Sequence, residues 1–135
     1  MDHSEMQSLV SQHMRAEGMG DVDGALVVYT DDIEHDVVGF PGSPSHGKDG
    51  ARKFYEELTT NFRAEGEEVL HRYLTDDSMI LEQMMTGTVI GSMLGLPGHG
   101  RRISFRILHV FEFRDGLISR ENIWLDTGAI VNQLS

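Results

Sequence analysis

The strongest constraint on the fold lies in residues 101–126, RRISFRILHVFEFRDGLISRENIWLD. Two alternating runs flank Arg114-Asp115-Gly116, the composition of a tight hairpin turn. On the first run Ile103, Phe105, Ile107, His109, Phe111 and Phe113 share one face. A single imidazole in that apolar row needs a polar partner, because an unsatisfied buried polar group costs about 1–3 kcal/mol. The register of the hairpin decides which residue that is. A two-residue Asp-Gly loop pairs Phe113 with Ile118 and turns Arg120, Asn122 and Asp126 into the aromatic row. A three-residue loop pairs Phe113 with Leu117, sets His109 opposite Glu121, and gathers Leu117, Ile123 and Leu125 beside the aromatics. Buried charges are costly, so the pattern favours the three-residue loop. It predicts a His109–Glu121 pair on the inner face. Leu108, Val110, Ile118, Arg120, Asn122, Trp124 and Asp126 fall on the outer face.

The rest of the chain supplies elements to pack on this hairpin. Met6, Leu9, Val10, His13 and Met14 recur at helical spacing, predicting a helix over 4–17 with Ser4 as N-cap. Asp21 caps a second helix, Val22–Tyr29. Ile33–Val38 reads as a strand with Ile33, His35 and Val37 on one face. GFPGSPSHG (39–47) is a loop. Lys48–Arg63 reads as a helix with Ala51, Phe54, Tyr55, Leu58 and Phe62 in a stripe. Strands follow at Glu67–Thr75 and Ser78–Gly91, where Gly87 suggests a bulge or bend. A glycine-rich loop at 92–100 precedes the hairpin, and 127–134 forms a short helix or turn. Helices followed by a strand meander imply an α+β domain: a curled antiparallel sheet around three helices, enclosing an apolar pocket. With 135 residues the chain is read as one domain, 1–135.

Composition excludes several function classes. The net charge of -11 argues against nucleic acid as a partner. No apolar run of membrane-spanning length occurs. MDHSEMQSLVSQHM lacks a basic segment ahead of an apolar one, so a cytoplasmic protein is expected. The absence of cysteine removes disulfide and thiol chemistry. The histidines show no HxH or HxxxH spacing, and no glycine-rich phosphate loop opens a helix, so neither a metal nor a cofactor is expected.

The ordered motifs GDVDGALVVYT (20–30), DDIEHDVVG, HGKDGARKFYEEL, TGTVIG, LHVFEFRDGLISRENIWLD and a terminal QL carry a resemblance. Over about residues 5–134 the chain resembles the nuclear transport factor 2-like superfamily, in particular its SnoaL-like polyketide cyclase and ester cyclase branch. The resemblance implies a cone-shaped α+β barrel with a deep apolar pocket, in a homodimer packed through the sheet. Trp124, Leu108 and Val110 would line that contact. Against the ketosteroid isomerases of the superfamily, His13 falls at their first-helix tyrosine, Tyr55 at a supporting tyrosine and His109 at the oxyanion-hole acid. Their base falls at Val37 or Asp36 depending on the anchor, and alternation turns Val37 inward. SnoaL-like cyclases share a histidine at the position of His109, but their last-strand aspartate falls at Ile123. Glu121, about 7 Å away at strand rise, can stand in. The limonene-type epoxide hydrolase triad is not matched.

These readings converge on a cofactor-independent cyclase or isomerase-type enzyme acting by acid-base chemistry on an apolar carbonyl compound. His109, Glu121 and His35 are the candidate catalytic residues, and His13, Tyr55, Phe54, Phe111 and Ile123 the candidate substrate-binding ones. The alternative is a non-catalytic dimeric module that binds a small apolar ligand in the same pocket.

Overall fold

The structure is a computed structural model describing residues Met1–Ser135. Its elements are α1 (His3–Gly18), α2 (Val22–Leu26), β1 (Tyr29–Val37), β2 (Ser45–His46), α3 (Lys48–Asn61), β3 (Phe62–Leu74), β4 (Ser78–Val89), β5 (Ser92–Met93), β6 (Leu96–Pro97), β7 (Arg102–Arg114), β8 (Leu117–Leu125) and α4 (Thr127–Leu134). The fold is α+β, with a large curved sheet that does not close. Six strands run in the order β2-β1-β8-β7-β4-β3, and β5 and β6 form a separate hairpin within the predicted 92–100 loop. No helix is long and apolar enough to cross a membrane.

The sheet is mixed rather than wholly antiparallel. The meander from β3 to β8 is antiparallel as expected, but β1 pairs with β8 in parallel. The physical reason is the crossover: α3 and the meander intervene between β1 and β8, a path long enough to return the chain in the same direction. Tyr29 pairs with Ile118, which draws Tyr29 out of the predicted second helix and into β1. The first helix starts earlier than expected. Asp2, not Ser4, is its N-cap, because Asp2 and Glu5 form a reciprocal capping box.

The hairpin register differs from both simple alternatives. Arg114 pairs with Leu117 and Phe113 with Ile118, so Asp115-Gly116 forms a two-residue turn. Both turn residues have positive φ, 54° and 77°, as a turn matched to strand twist requires. The register then shifts: Glu112 pairs with Arg120, leaving Ser119 as the extra residue of a bulge. Beyond the bulge His109 lies opposite Ile123, and Glu121 opposite Phe111. The bulge restores the parity that the turn would have lost. His109, Phe111, Glu121 and Ile123 therefore share the buried face, as the hydrophobic pattern demanded. Between turn and bulge the expectation is reversed: Ile118 is fully buried and Leu117 only half-buried.

The bulge expected at Gly87 lies on the facing strand. The β3 register shifts between Ala64 and Gly66, directly across from Gly87. A Cβ on Gly87 would stand 2.5 Å from the Arg63 carbonyl oxygen and 2.3 Å from the Phe62 ring, so glycine is what lets β3 close over β4 here.

Buried apolar residues form two clusters. One contains Met6, Val10, Tyr29, Tyr55, Phe111 and Ile118 among others. The other contains Val37, Phe62, Met85, Phe105, Ile107 and Ile123 among others.

Candidate active site

Four neighbouring strands each carry one polar residue in an otherwise apolar inner row. On β1 His35 sits between Ile33 and Val37; on β8 Glu121 precedes Ile123; on β7 His109 sits between Ile107 and Phe111; on β4 Gln83 sits between Leu81 and Met85. On β1, β7 and β4 the residue on one side belongs to the first apolar cluster and the residue on the other side to the second, and on β8 Ile123 belongs to the second. Strand pairing aligns the four as a polar belt across the sheet where the two clusters meet. His35 is the direct parallel partner of Glu121.

Two helices complete the belt from above. α1 buries Met6, Val10 and His13 along one stripe, and α3 delivers Tyr55. Glu121 is fully buried and is the hub. Its Oε2 accepts from His109 Nδ1 at 3.0 Å. Its Oε1 lies 3.0 Å from His13 Nε2, accepts a hydrogen bond from the Tyr29 hydroxyl, and accepts from Tyr55 at 3.3 Å. His35 Nε2 reaches the belt through the Tyr55 hydroxyl, 3.3 Å away.

The partners define how the rings are protonated. His13 Nδ1 donates to the Ala25 carbonyl at 2.7 Å, so its Nε2 faces Glu121. Burial alone would push the His13 pKa down, but the adjoining Glu121 charge and hydrogen bond outweigh it and hold it at about 9. Burial likewise opposes the Glu121 charge, yet His13 and His109 together hold its carboxyl well below the ordinary range. Burial lowers the pKa of His35, whose nearest belt neighbour is the neutral Tyr55 hydroxyl. The Gln83 amide nitrogen donates to Glu67 at 2.7 Å, which turns its Oε1 towards His109 Nε2 at 3.1 Å. His109 thus spans the Glu121 carboxylate and the Gln83 amide oxygen through its two ring nitrogens.

An apolar cavity of about 270 Å³ opens beside this belt, and 14 of its 20 lining residues are hydrophobic. Of the candidate catalytic and substrate-binding residues named from the sequence, His109, Phe54 and Ile123 line it. His35, Glu121, His13 and Tyr55 sit behind the cavity wall, hydrogen-bonded to one another. Phe111 is fully buried in the first cluster, stacked on the His109 ring at 5.3 Å. Val37 lines the cavity, while Asp36 points to the outer face beside Asn122 and Arg120. Asp126 caps α4 by accepting from the Ala129 amide. No three His, Asp or Glu side chains are grouped as metal ligands.

Sequence reasoning missed Glu17, Tyr29, Gln83 and Glu67 as members of the site. Glu17 was within reach: it lies one turn after His13 on the same helical stripe. Gln83 carries the same signal as His109, a polar residue in an apolar alternating row. Glu67 has no such signal, because β3 is mostly exposed.

The family model for the SnoaL-like polyketide cyclase matches residues 9–134. A search of curated proteins finds no sequence match. Among solved structures, TsrD from Streptomyces laurentii superposes with a TM-score of 0.86 at 20% identity, covering 100% of this chain and 98% of that one. A proposed polyketide cyclase from Xanthomonas campestris pv. campestris gives 0.84 at 21% identity, covering 98% of both chains. An LEH-like epoxide hydrolase from M. tuberculosis gives 0.74 at 19% identity, covering 97% of this chain and 90% of that one. At these identities the structural likeness establishes the fold.

Proposed function

The chain belongs to the SnoaL-like polyketide cyclase family, and from that membership together with its buried polar belt we propose a cofactor-independent enzyme of the cyclase or isomerase type, acting on an apolar carbonyl compound. The observation that carries this reading is the charged group behind the cavity wall: Glu121 held between His13 and His109. Burying ions costs several kcal/mol each before pairing, and a cavity that only holds an apolar ligand does not require it. Fixed charge beside a water-poor pocket does stabilise charge that develops on a bound carbonyl.

His109 is the belt residue that meets the ligand, and acts there as an electrostatic group backed by Glu121. Glu121 fixes its orientation and its proton. His13, His35 and Tyr55 are positioning residues, since none of them lines the cavity. Phe54 and Ile123 shape the apolar wall. A homodimer through the outer sheet face belongs to the same proposal: Trp124 is 52% exposed there, with Leu108 and Val110 half-buried beside it, an arrangement suited to an interface core.

The test is α-proton exchange of α-tetralone, a two-ring apolar ketone, in heavy water, followed by NMR. The wild type is expected to accelerate exchange, and His109→Ala to lose about 100-fold or more with its circular dichroism unchanged. A ketone that binds the wild type without any exchange would instead support the non-catalytic ligand-binding module.

A further inference from the structure

His109 lines the cavity, yet both its ring nitrogens are committed, one to Glu121 and one to Gln83. It can stabilise charge there, but neither nitrogen is free to take a proton from a substrate. The cavity has two other ionisable lining residues, Glu17 and Arg63. Arg63 is 62% exposed and paired with Glu65 at 3.7 Å. Glu17 is therefore the only carboxyl group on the cavity wall. Its side chain is 19% exposed, and its Oε2 is buried with no hydrogen-bond partner. That oxygen stands 3.6 Å from His13 Nε2, just beyond hydrogen-bond reach.

We propose that Glu17 is the proton-transfer residue of this site, a catalytic base and acid that meets the substrate at the cavity wall while its buried oxygen faces the His13–Glu121–His109 network. The proposal rests on the acid-base reading of the cavity given above. In the step assigned to it, the Glu17 carboxylate takes a proton from the carbon next to the substrate carbonyl. The C–H bond breaks, an O–H bond forms on Glu17, and the electron pair passes into the enolate, with its oxygen towards His109. Protonated Glu17 then returns that proton to carbon or oxygen of the substrate, which regenerates the carboxylate.

The surroundings suit a carboxyl that exchanges protons near neutrality. Burial raises the Glu17 pKa to about 7, with His13 and His109 opposing and Glu121 and Glu67 reinforcing the rise. Its place in the last turn of α1, the negative end of the helix dipole, acts in the same direction.

Two measurements decide the proposal. In the α-tetralone exchange assay, Glu17→Gln is expected to lower the rate at least about 100-fold, with the fold and ketone binding retained and partial recovery in Glu17→Asp. Exchange at the wild-type rate in Glu17→Gln overturns the role of Glu17 alone and leaves the acid-base reading standing. No exchange by the wild type overturns that reading, and Glu17's role with it. Independently of turnover, carbon-detected NMR of the Glu17 carboxyl is expected to show a midpoint near 7. A midpoint in the ordinary carboxylate range overturns the assignment.

Discussion

Glu121→Gln is the most informative perturbation of the buried network. The amide keeps the shape of the side chain but removes the negative charge that two histidines share. Without it, only the weaker pull of Glu17 and of the Ala25 carbonyl opposes burial at His13, whose pKa should fall from about 9 towards or below its ordinary 6.5. The loss of that proton affinity corresponds to about 3 kcal/mol, at 1.36 kcal/mol per pKa unit. Breaking a buried ion pair from one side costs about 3–5 kcal/mol, which agrees. His13 is raised in the folded state, so its contribution is fully present below pH 6.5 and is lost as pH rises through about 9. Urea unfolding followed by far-UV circular dichroism, at fixed protein concentration across this range, is the assay. The variant should be about 3 kcal/mol less stable than wild type near pH 6, and the gap should narrow above pH 9. A variant as stable as wild type at neutral pH, or a gap constant across the range, would refute the assignment of a charged His13–Glu121 pair.

Two further outcomes follow from the sheet. Trp124→Asp places a charge in the centre of the outer face and is expected to convert a dimer to monomer in sedimentation velocity, with the far-UV spectrum unchanged; a wild-type monomer would dispose of the interface. Gly87→Ala forces a methyl against the Arg63 carbonyl and the Phe62 ring and should cost about 1–3 kcal/mol in the same urea assay, with weaker α-tetralone binding because Phe62 and Arg63 line the cavity.

The hairpin, its inward histidine and its core face are legible in residues 101–126 because alternation has a period of two and every misplaced charge is costly. The α+β class follows from the order of helical and alternating segments. The bulge at Ser119 is not legible: a two-residue turn with a bulge and a three-residue turn leave the same residues buried beyond Arg120, and only backbone pairing tells them apart. Glu121 therefore reaches His109, but diagonally. The parallel pairing of β1 with β8 was equally hidden, because neither strand carries a mark of its partner. That pairing sets His35 beside Glu121 and closes the belt. Sequence alone could name His109 as a buried imidazole in need of a partner. Only the tertiary structure, by bringing α1 over the sheet, made His13 a second partner of the same carboxylate. The contact that decides this joins residues more than a hundred positions apart, and the same packing puts Glu17 on the cavity wall.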